Sequence, residues 1–163
     1  FRGQVDKYTW VDIGSSYLPS DMLAAYLYAQ LEQWQKIQAK RKQIWETYDN
    51  GLRKWAQNND IKQPFIPENR EQAYHMYYLL FPNLEKRQDF IAYMKEKGIL
   101  CVFHYLPLHL SEMGIGFEGK LGDCPVTEDV SDRLVRLPFF YSLKREEQNA
   151  IIETIKSIYK LLW

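Results

Sequence analysis

The feature that most constrains the fold is a long run of helical periodicity that begins at Asp21 and extends to Trp55. Apolar residues recur along it at spacings of mostly three and four, which is the pattern of an amphipathic helix. About 35 helical residues would span roughly 50 Å. The pattern therefore predicts one long helix, or two helices with a break near Asn50 and Gly51. A helix of this length is expected to bridge two domains or two subunits.

Beyond this run, short apolar segments alternate with shorter helical segments. Such alternation predicts an α/β or α+β fold, in which helices pack against a small sheet. The predicted strands are "DKYTWVDI" (6–13), "AYHMYYLLF" (73–81) and "ILCVFHY" (99–105); the predicted helices are "EKRQDFIAYMKEKG" (85–98), "TEDVSDRLVR" (127–136) and "KREEQNAIIETIKSIYKLLW" (144–163); "LPFFYSL" (137–143) is predicted to be extended.

Composition excludes several classes of function. The chain has 163 residues, which is enough for one domain with its own core, and 21 Lys and Arg balance 21 Asp and Glu. The chain has no surplus of basic residues that would indicate nucleic-acid binding. It also has no run of eighteen apolar residues that would indicate a membrane span. We therefore expect a soluble cytoplasmic protein without nucleic acid or membrane as partner. The first residue is Phe1 rather than Met, so we also expect a longer parent protein.

The two cysteines, Cys101 and Cys124, are too few and too far apart for a zinc site. Cys101 lies in the apolar segment "GILCVFHY", which favours a buried thiol rather than a reactive one.

The turn "GSSYLPSD" (14–21) precedes the long helix and has two interpretations. Its hydroxyl groups and the free N–H groups of the helix start could bind an anion. Alternatively, Ser20 only caps the helix and Pro19 sets the approach of the chain. The turn has no lysine in the position that a nucleotide triphosphate loop requires.

The segment "FHYLPLH" (103–109) holds His104 and His109, which follow a predicted strand. Both could face a cleft as hydrogen-bond partners of a polar substrate. Both could also be partly buried and satisfied internally. The pair lacks a third ligand at a familiar spacing, so no metal is expected. His75 is expected to be a structural histidine within a strand.

Four segments, in chain order, resemble a known family. They are "FRGQVDKYTWVDIGSSYLPSDMLAAYLYAQLEQ", "HMYYLL", "VFHYLPLH" and "RLVRLPFFYSLKREEQNAIIETI". Together they resemble the C-terminal part of the DegT-type nucleotide-sugar aminotransferases, which are pyridoxal-phosphate (PLP) enzymes of the aspartate aminotransferase fold. The resemblance covers essentially the whole chain.

The resemblance implies a homodimer with active sites at the subunit interface. It implies a small, mostly antiparallel C-terminal sheet with helices, preceded by a long interdomain helix. Residues 1–19 would be the end of a large-domain strand and an interface turn, residues 20–56 the connecting helix, and residues 57–163 the small domain. The lysine that holds PLP would lie upstream, so no catalytic residue is expected here and the isolated chain is expected to be inactive.

The resemblance also assigns residues. Relatives carry Gly-Tyr-Asn-Tyr-Arg-Met at the turn, where the Asn contacts the PLP phosphate of the neighbouring subunit. Ser16 takes the place of that Asn and Tyr17 that of the second Tyr, whereas Leu18 replaces the Arg and cannot supply its charge.

The "HYLPLH" segment matches a family region near the sugar nucleotide. His104, Tyr105 and His109 are therefore expected to lie on the substrate side, together with Tyr17. The segment "RLPFF" (136–140) is assigned to packing.

The implied reaction moves an amino group from glutamate, which becomes 2-oxoglutarate, through PLP to the 4-keto carbon of a dTDP-linked 6-deoxyhexose. Two alternatives stay open. The enzyme could act on a different keto-sugar nucleotide, or the chain could be a non-catalytic domain for protein interaction and dimerisation.

Overall fold

The computed structural model describes residues 18–158. These residues fall into two compact units that divide after Trp34, and helix α1 belongs to the first of them. In chain order the elements are α1 (Asp21–Glu32), α2 (Trp34–Asn58), β1 (Tyr78–Leu80), α3 (Leu84–Glu96), β2 (Val102–Phe103), a 3₁₀ turn (Leu108–Leu110), α4 (Glu112–Gly116), α5 (Pro125–Arg133), β3 (Leu134–Arg136) and α6 (Arg145–Ser157).

The core of the second unit is built from α2, the sheet, α3 and α6. Tyr48 of α2 is fully buried, its ring stacks on Tyr77 at 5.4 Å, and its hydroxyl donates to the Pro138 carbonyl at 2.9 Å. Burial raises the pKa of the Tyr48 hydroxyl, so the group stays protonated and keeps donating this bond. Phe90 of α3 packs on Phe81, with 4.7 Å between ring centroids. Large aromatic groups thus tie the helices to the sheet.

The sheet is small and wholly antiparallel, with strand order β1-β3-β2. Leu79 and Val135 form one rung and are fully buried, which places that face of the sheet against the core. The central strand β3 follows directly after α5, so the helix end positions the strand. This arrangement confirms the predicted fold class of a small antiparallel sheet with helices.

The sequence left open one long helix or two helices, and the structure has two, with the interruption at Gln33. Helix α1 ends before Gln33, whose N–H donates to the carbonyls of Gln30 and Leu31 in a tight final turn. The break predicted near Asn50 and Gly51 is wrong, because both residues lie inside α2. A Cβ on Gly51 would lie 2.9 Å from Cδ1 of Ile152, so this glycine permits close packing of α6 rather than ending a helix. The division into domains at residues 19 and 56 stays a prediction.

Two further predictions need correction. Helix α5 ends at Arg133, and residues 134–136, predicted as helix, form the central strand β3. Leu134 and Val135 are buried, Leu134 pairs with β1, and Val135 pairs with both β1 and β2; this pairing overrides the helical pattern. The strand predicted over residues 73–81 is confined to Tyr78–Leu80, so His75 is an exposed bend residue rather than a packed strand residue.

The helices at residues 85–98 and 144–163 are confirmed in their cores. Helix α3 ends at Glu96, and Gly98 takes a φ of 74° just after it, as expected for a glycine stop signal. Helix α6 begins at Arg145, and its described part ends at Ser157. The predicted strand at residues 6–13 lies outside the described residues.

Candidate functional site

One face of the sheet points away from the core and carries a cation. Tyr78, Arg136 and Val102 are paired across the three strands, and all three are half-buried. Side chains alternate along a strand, so this rung projects from the face opposite the buried Leu79 and Val135. The guanidinium of Arg136 therefore occupies the middle of the open face.

Arg136 is held by the segment that contains the predicted substrate residues. Its Nη2 donates to the Phe103 carbonyl at 3.4 Å, and its guanidinium carbon lies 5.8 Å from the centroid of the Tyr105 ring. The Nε of Arg136 is buried and has no hydrogen-bond partner among residues 18–158. The sequence interpretation assigned Arg136 to packing; the geometry instead places a cation beside His104 and Tyr105.

His104 adjoins this arginine. Its ring lies 5.2 Å from that of Tyr105 in an edge-on arrangement, and its Nδ1 is buried without a partner in the described part of the chain. Burial lowers the pKa of His104 below its ordinary value, and the nearby charges of Arg136 and His75 lower it further. The imidazole is therefore neutral at pH 7 and can both donate and accept a hydrogen bond.

Tyr105 is the exposed member of the group. Its side chain is 76% exposed, and the following Leu106 is 72% exposed. The ring thus contacts Arg136 and His104 while offering most of its surface to another molecule. An aromatic ring with a hydroxyl suits the contact with a sugar or a base.

His109 is used differently, because it makes an internal pair. Its Nε2 lies 2.8 Å from Oε1 of Glu128, and both side chains are mostly buried. Glu128 also accepts from the N–H groups of Gly122 and Cys124. The hydrogen bond from His109, and then those from the two backbone groups, keep the pKa of Glu128 below its ordinary value. His109 thus fastens the loop that follows it to the start of α5, and its role toward substrate stays a prediction.

Two glycines pack the loop against the His109 backbone. An added Cβ at Gly114 would overlap backbone atoms of Leu108 and His109, and one at Gly119 would overlap backbone atoms of His109 and Gly114. Ser111 caps α4, since its Oγ accepts from the N–H of Gly114 at 3.1 Å. The segment around His109 therefore contains an ordered 3₁₀ turn and a short helix.

The turn that precedes α1 is only partly within the described residues. Ser16 and Tyr17, predicted for cofactor and substrate, lie outside them. Leu18 is 65% exposed. Ser20 caps α1, because its Oγ accepts from the N–H of Leu23 at 3.3 Å. The capping interpretation thus holds for Ser20, and the anion interpretation of Ser16 stays a prediction.

The described residues offer less support for a metal site, a reactive thiol or a membrane-spanning helix. Residues 18–158 contain no group of three or more His, Cys, Asp or Glu that could hold a metal ion. Burial raises the pKa of the Cys101 thiol to about 12, so Cys101 is the buried, inert thiol that was expected. Among the described helices, none has the length and apolarity needed to cross a membrane.

Sequence reasoning missed Arg136, although the sequence contains a signal for it. The segment "RLVRLP" places one charge between apolar residues that the sheet buries. A charged residue in such a position is expected to project from the opposite face of the strand. The signal was lost because these residues were predicted to be helical.

The geometry places one permanent cation, one neutral imidazole and one exposed aromatic ring on the same open face. Together they can bind an anion and orient a polar ring, but they include no nucleophile. This set of groups is therefore suited to binding a ligand rather than to catalysis.

Comparison with known proteins identifies a family to which this chain is similar. The model of the DegT/DnrJ/EryC1/StrS aminotransferase family matches residues 2–156. A "Pleiotropic regulatory protein" of Geobacillus stearothermophilus is 28% identical over 98% of the chain and 42% of its own length. The GDP-perosamine synthase of Escherichia coli O157:H7 is 27% identical over 98% of the chain and 43% of its own length. The chain thus spans less than half of these curated relatives.

A solved structure shows the same fold. The putative sugar aminotransferase Spr1654 from Streptococcus pneumoniae, in its PMP form, superposes with a TM-score of 0.77 and 25% identity. The match covers 88% of this chain and 36% of that one. The sheet and helices described above are therefore those of a part of the aminotransferase fold.

Proposed function

We propose, from the premise that the chain belongs to the DegT/DnrJ/EryC1/StrS aminotransferase family, that the whole protein transaminates a nucleotide sugar. Enzymes of this family are PLP-dependent transaminases. The family match over residues 2–156 is the observation that carries the proposal. The amino donor is proposed to be glutamate, which becomes 2-oxoglutarate.

The proposed acceptor is the 4-keto carbon of a dTDP-4-keto-6-deoxyhexose. The product would be that of dTDP-4-amino-4,6-dideoxygalactose transaminase, which the segment "FRGQVDKYTW" favours by resemblance. One relative is named GDP-perosamine synthase, so the alternative is a sugar linked to GDP instead of dTDP. Assays of the whole protein with 3-keto and 4-keto sugars, each linked to dTDP or GDP, separate these choices. Turnover confined to a 3-keto or a GDP-linked sugar would contradict the proposal.

Bound PLP supplies the electron sink that transamination needs. For this chain, Ser16 is proposed to donate a hydroxyl hydrogen bond to the cofactor phosphate in the partner subunit, with no arginine at Leu18 to assist. The described cluster of Arg136 and His104 fits a phosphate through its N–H donors and is proposed to serve the substrate. The lysine that holds PLP is proposed to lie outside this chain. Transamination by the isolated chain above the rate of free PLP would contradict that assignment.

His104, Tyr105 and His109 are proposed to face the sugar nucleotide, together with Tyr17. Support is strongest for His104, whose neutral imidazole has a free buried nitrogen beside a cation. Tyr105 adds an exposed ring. His109 acts on the same segment by fixing its backbone to Glu128.

Replacing His104 by Ala in the whole protein is expected to raise KM for the nucleotide sugar about 5- to 30-fold, the loss of one or two kcal/mol of binding. The value of kcat should change little, because the contact exists before and during the reaction. Steady-state kinetics with a varied sugar nucleotide measure both. An unchanged KM with a lowered unfolding midpoint would show that His104 is only structural.

We also propose a homodimer. Apolar side chains of α1 are exposed in this chain, including Met22 at 84% and Tyr26 at 68%, and such a surface indicates a protein partner. A non-catalytic interaction domain would use the same surface, and this remains the second candidate function. Light scattering of the whole protein should give twice the protomer mass. A parent sequence with no lysine for PLP would favour the second candidate.

A further inference from the structure

Arg136 is a half-buried cation that lacks a counter-charge. Among residues 18–158, no carboxylate forms an ion pair with Arg136. An arginine side chain stays ionised at any physiological pH. Partial burial of an unpaired charge is costly, so this position favours the arrival of an anion.

Most of the donors of Arg136 are unused. A guanidinium has five N–H groups in a planar fork. Within the described part of the chain, Nη2 makes one long bond of 3.4 Å to the Phe103 carbonyl, and the buried Nε makes none. This bond orients the group against β2 and leaves the fork incompletely satisfied. The guanidinium of Arg136 is therefore held in position while most of its N–H groups remain available to a ligand.

The nearest imidazole offers hydrogen bonds rather than a counter-charge. Burial, and then the nearby Arg136 and His75, lower the pKa of His104, so its ring is neutral beside the guanidinium. Nδ1 of His104 is a second buried atom without a partner. Nε of Arg136 and Nδ1 of His104 thus lack partners on the same open face of the sheet, although they belong to different segments of the chain. Such a pair points to a ligand with several acceptor oxygens.

We propose that Arg136 binds the diphosphate of the nucleotide sugar, next to His104 on the open face of the sheet. The inference rests on the proposed function, because it takes the nucleotide sugar as the ligand. A guanidinium can donate two parallel hydrogen bonds to phosphate oxygens, which fixes both position and orientation. The exposed Tyr105 ring lies beside the guanidinium and leaves room for the sugar or the base. Arg136 is thus a binding residue that sets the preference for a diphosphate-linked sugar.

The test uses dTDP as the probe and the whole protein with Arg136→Met. Calorimetric titration should give a Kd for dTDP about 10- to 100-fold higher than that of the unchanged protein, as expected for the loss of a charge-assisted contact. Arg136→Lys should fall between them, because lysine keeps the charge but not the fork. Arg70→Met is the matched control, since Arg70 is exposed and its side chain makes a single hydrogen bond among residues 18–158, to the Asn69 carbonyl. It should leave the Kd unchanged.

Two results would overturn the inference. One is a Kd for dTDP that is the same in Arg136→Met, Arg136→Lys and Arg70→Met. The other is an unchanged Kd for dTDP with a raised KM for glutamate or a raised Kd for PLP, which would assign the anion to another ligand. If Arg136→Met does not fold, Arg136→Lys decides, since a wild-type Kd in that variant contradicts the need for the fork.

The outcome is independent of the proposed reaction. Binding of dTDP is measured without turnover, so Arg136 can be shown to bind diphosphate in a protein that fails to transaminate. Conversely, a transaminase whose dTDP affinity ignores Arg136 would retain the proposed function and lose this inference.

Discussion

A Gly114→Ala substitution is expected to lower the free energy of unfolding of the chain by about 1–3 kcal/mol, the usual cost of overpacking. The added methyl group would overlap the Leu108 carbonyl and would lie 2.7 Å from the His109 carbonyl oxygen. These atoms belong to backbone that cannot rotate away, so α4 must move relative to the turn that carries His109. In the whole protein, the KM for the nucleotide sugar should rise as well.

Gly116→Ala provides a matched control within the same short helix. No atom lies within 4 Å of the Cβ that this change would add. The substitution should therefore shift the free energy of unfolding by no more than about 0.5 kcal/mol. Urea unfolding of both variants makes the comparison. Equal effects of the two substitutions would mean that the close approach at Gly114 does not hold the loop.

Phe90→Ala is expected to destabilise the chain by about 3–5 kcal/mol, the range found for large aromatic residues removed from cores. Phe90 is fully buried, and its ring packs on Phe81 at 4.7 Å between α3 and the end of β1. Such a loss is a large share of the total of about 5–15 kcal/mol that is typical of a domain. The variant should unfold at a much lower urea concentration.

The matching control is Phe65→Ala. Phe65 is 84% exposed, so its removal from the chain should change the free energy of unfolding by about 0.5 kcal/mol or less. A small effect at Phe90 would mean that α3 is not packed on the sheet as described. A large effect at Phe65 would mean that its loop is covered in solution.

Sequence periodicity predicted the fold where elements are long. Helices α3 and α6 have several turns of consistent spacing, and their starts were predicted to within one residue. The strands have only two or three residues, which is too short for a period of two to stand out. Strand β3 follows α5 without a loop, so its residues were included in the predicted helix. Their extended conformation is evident only from the pairing with β1 and β2.

The same limit applies to the candidate site. His104 and Tyr105 were predicted from the motif "HYLPLH", because the motif is local in sequence. Arg136 lies 32 residues beyond His104 and joins it only through the register of β2 with β3. The sequence left open whether His109 faces a cleft or is satisfied internally, and Glu128, 19 residues away, occupies its Nε2. Contacts between distant segments decide which side chains remain available to a ligand.

Resemblance supplied what neither periodicity nor local motifs could supply. Nothing in the described residues completes a catalytic site, and the chain covers 42% of the length of the Geobacillus relative. The assignments of Ser16 and Tyr17 rest on the resemblance alone, since both lie outside the described residues. The transaminase proposal therefore depends on the whole protein.

The most direct test is the visible absorption spectrum of the whole protein with PLP, recorded before and after glutamate and again after a dTDP-4-keto-6-deoxyhexose. We expect a band of protein-bound cofactor that is lost with glutamate and returns with the sugar, because the two half-reactions use the cofactor in turn. Absence of any bound band, or a band that neither compound changes, would contradict the assignment of this chain to a working sugar aminotransferase.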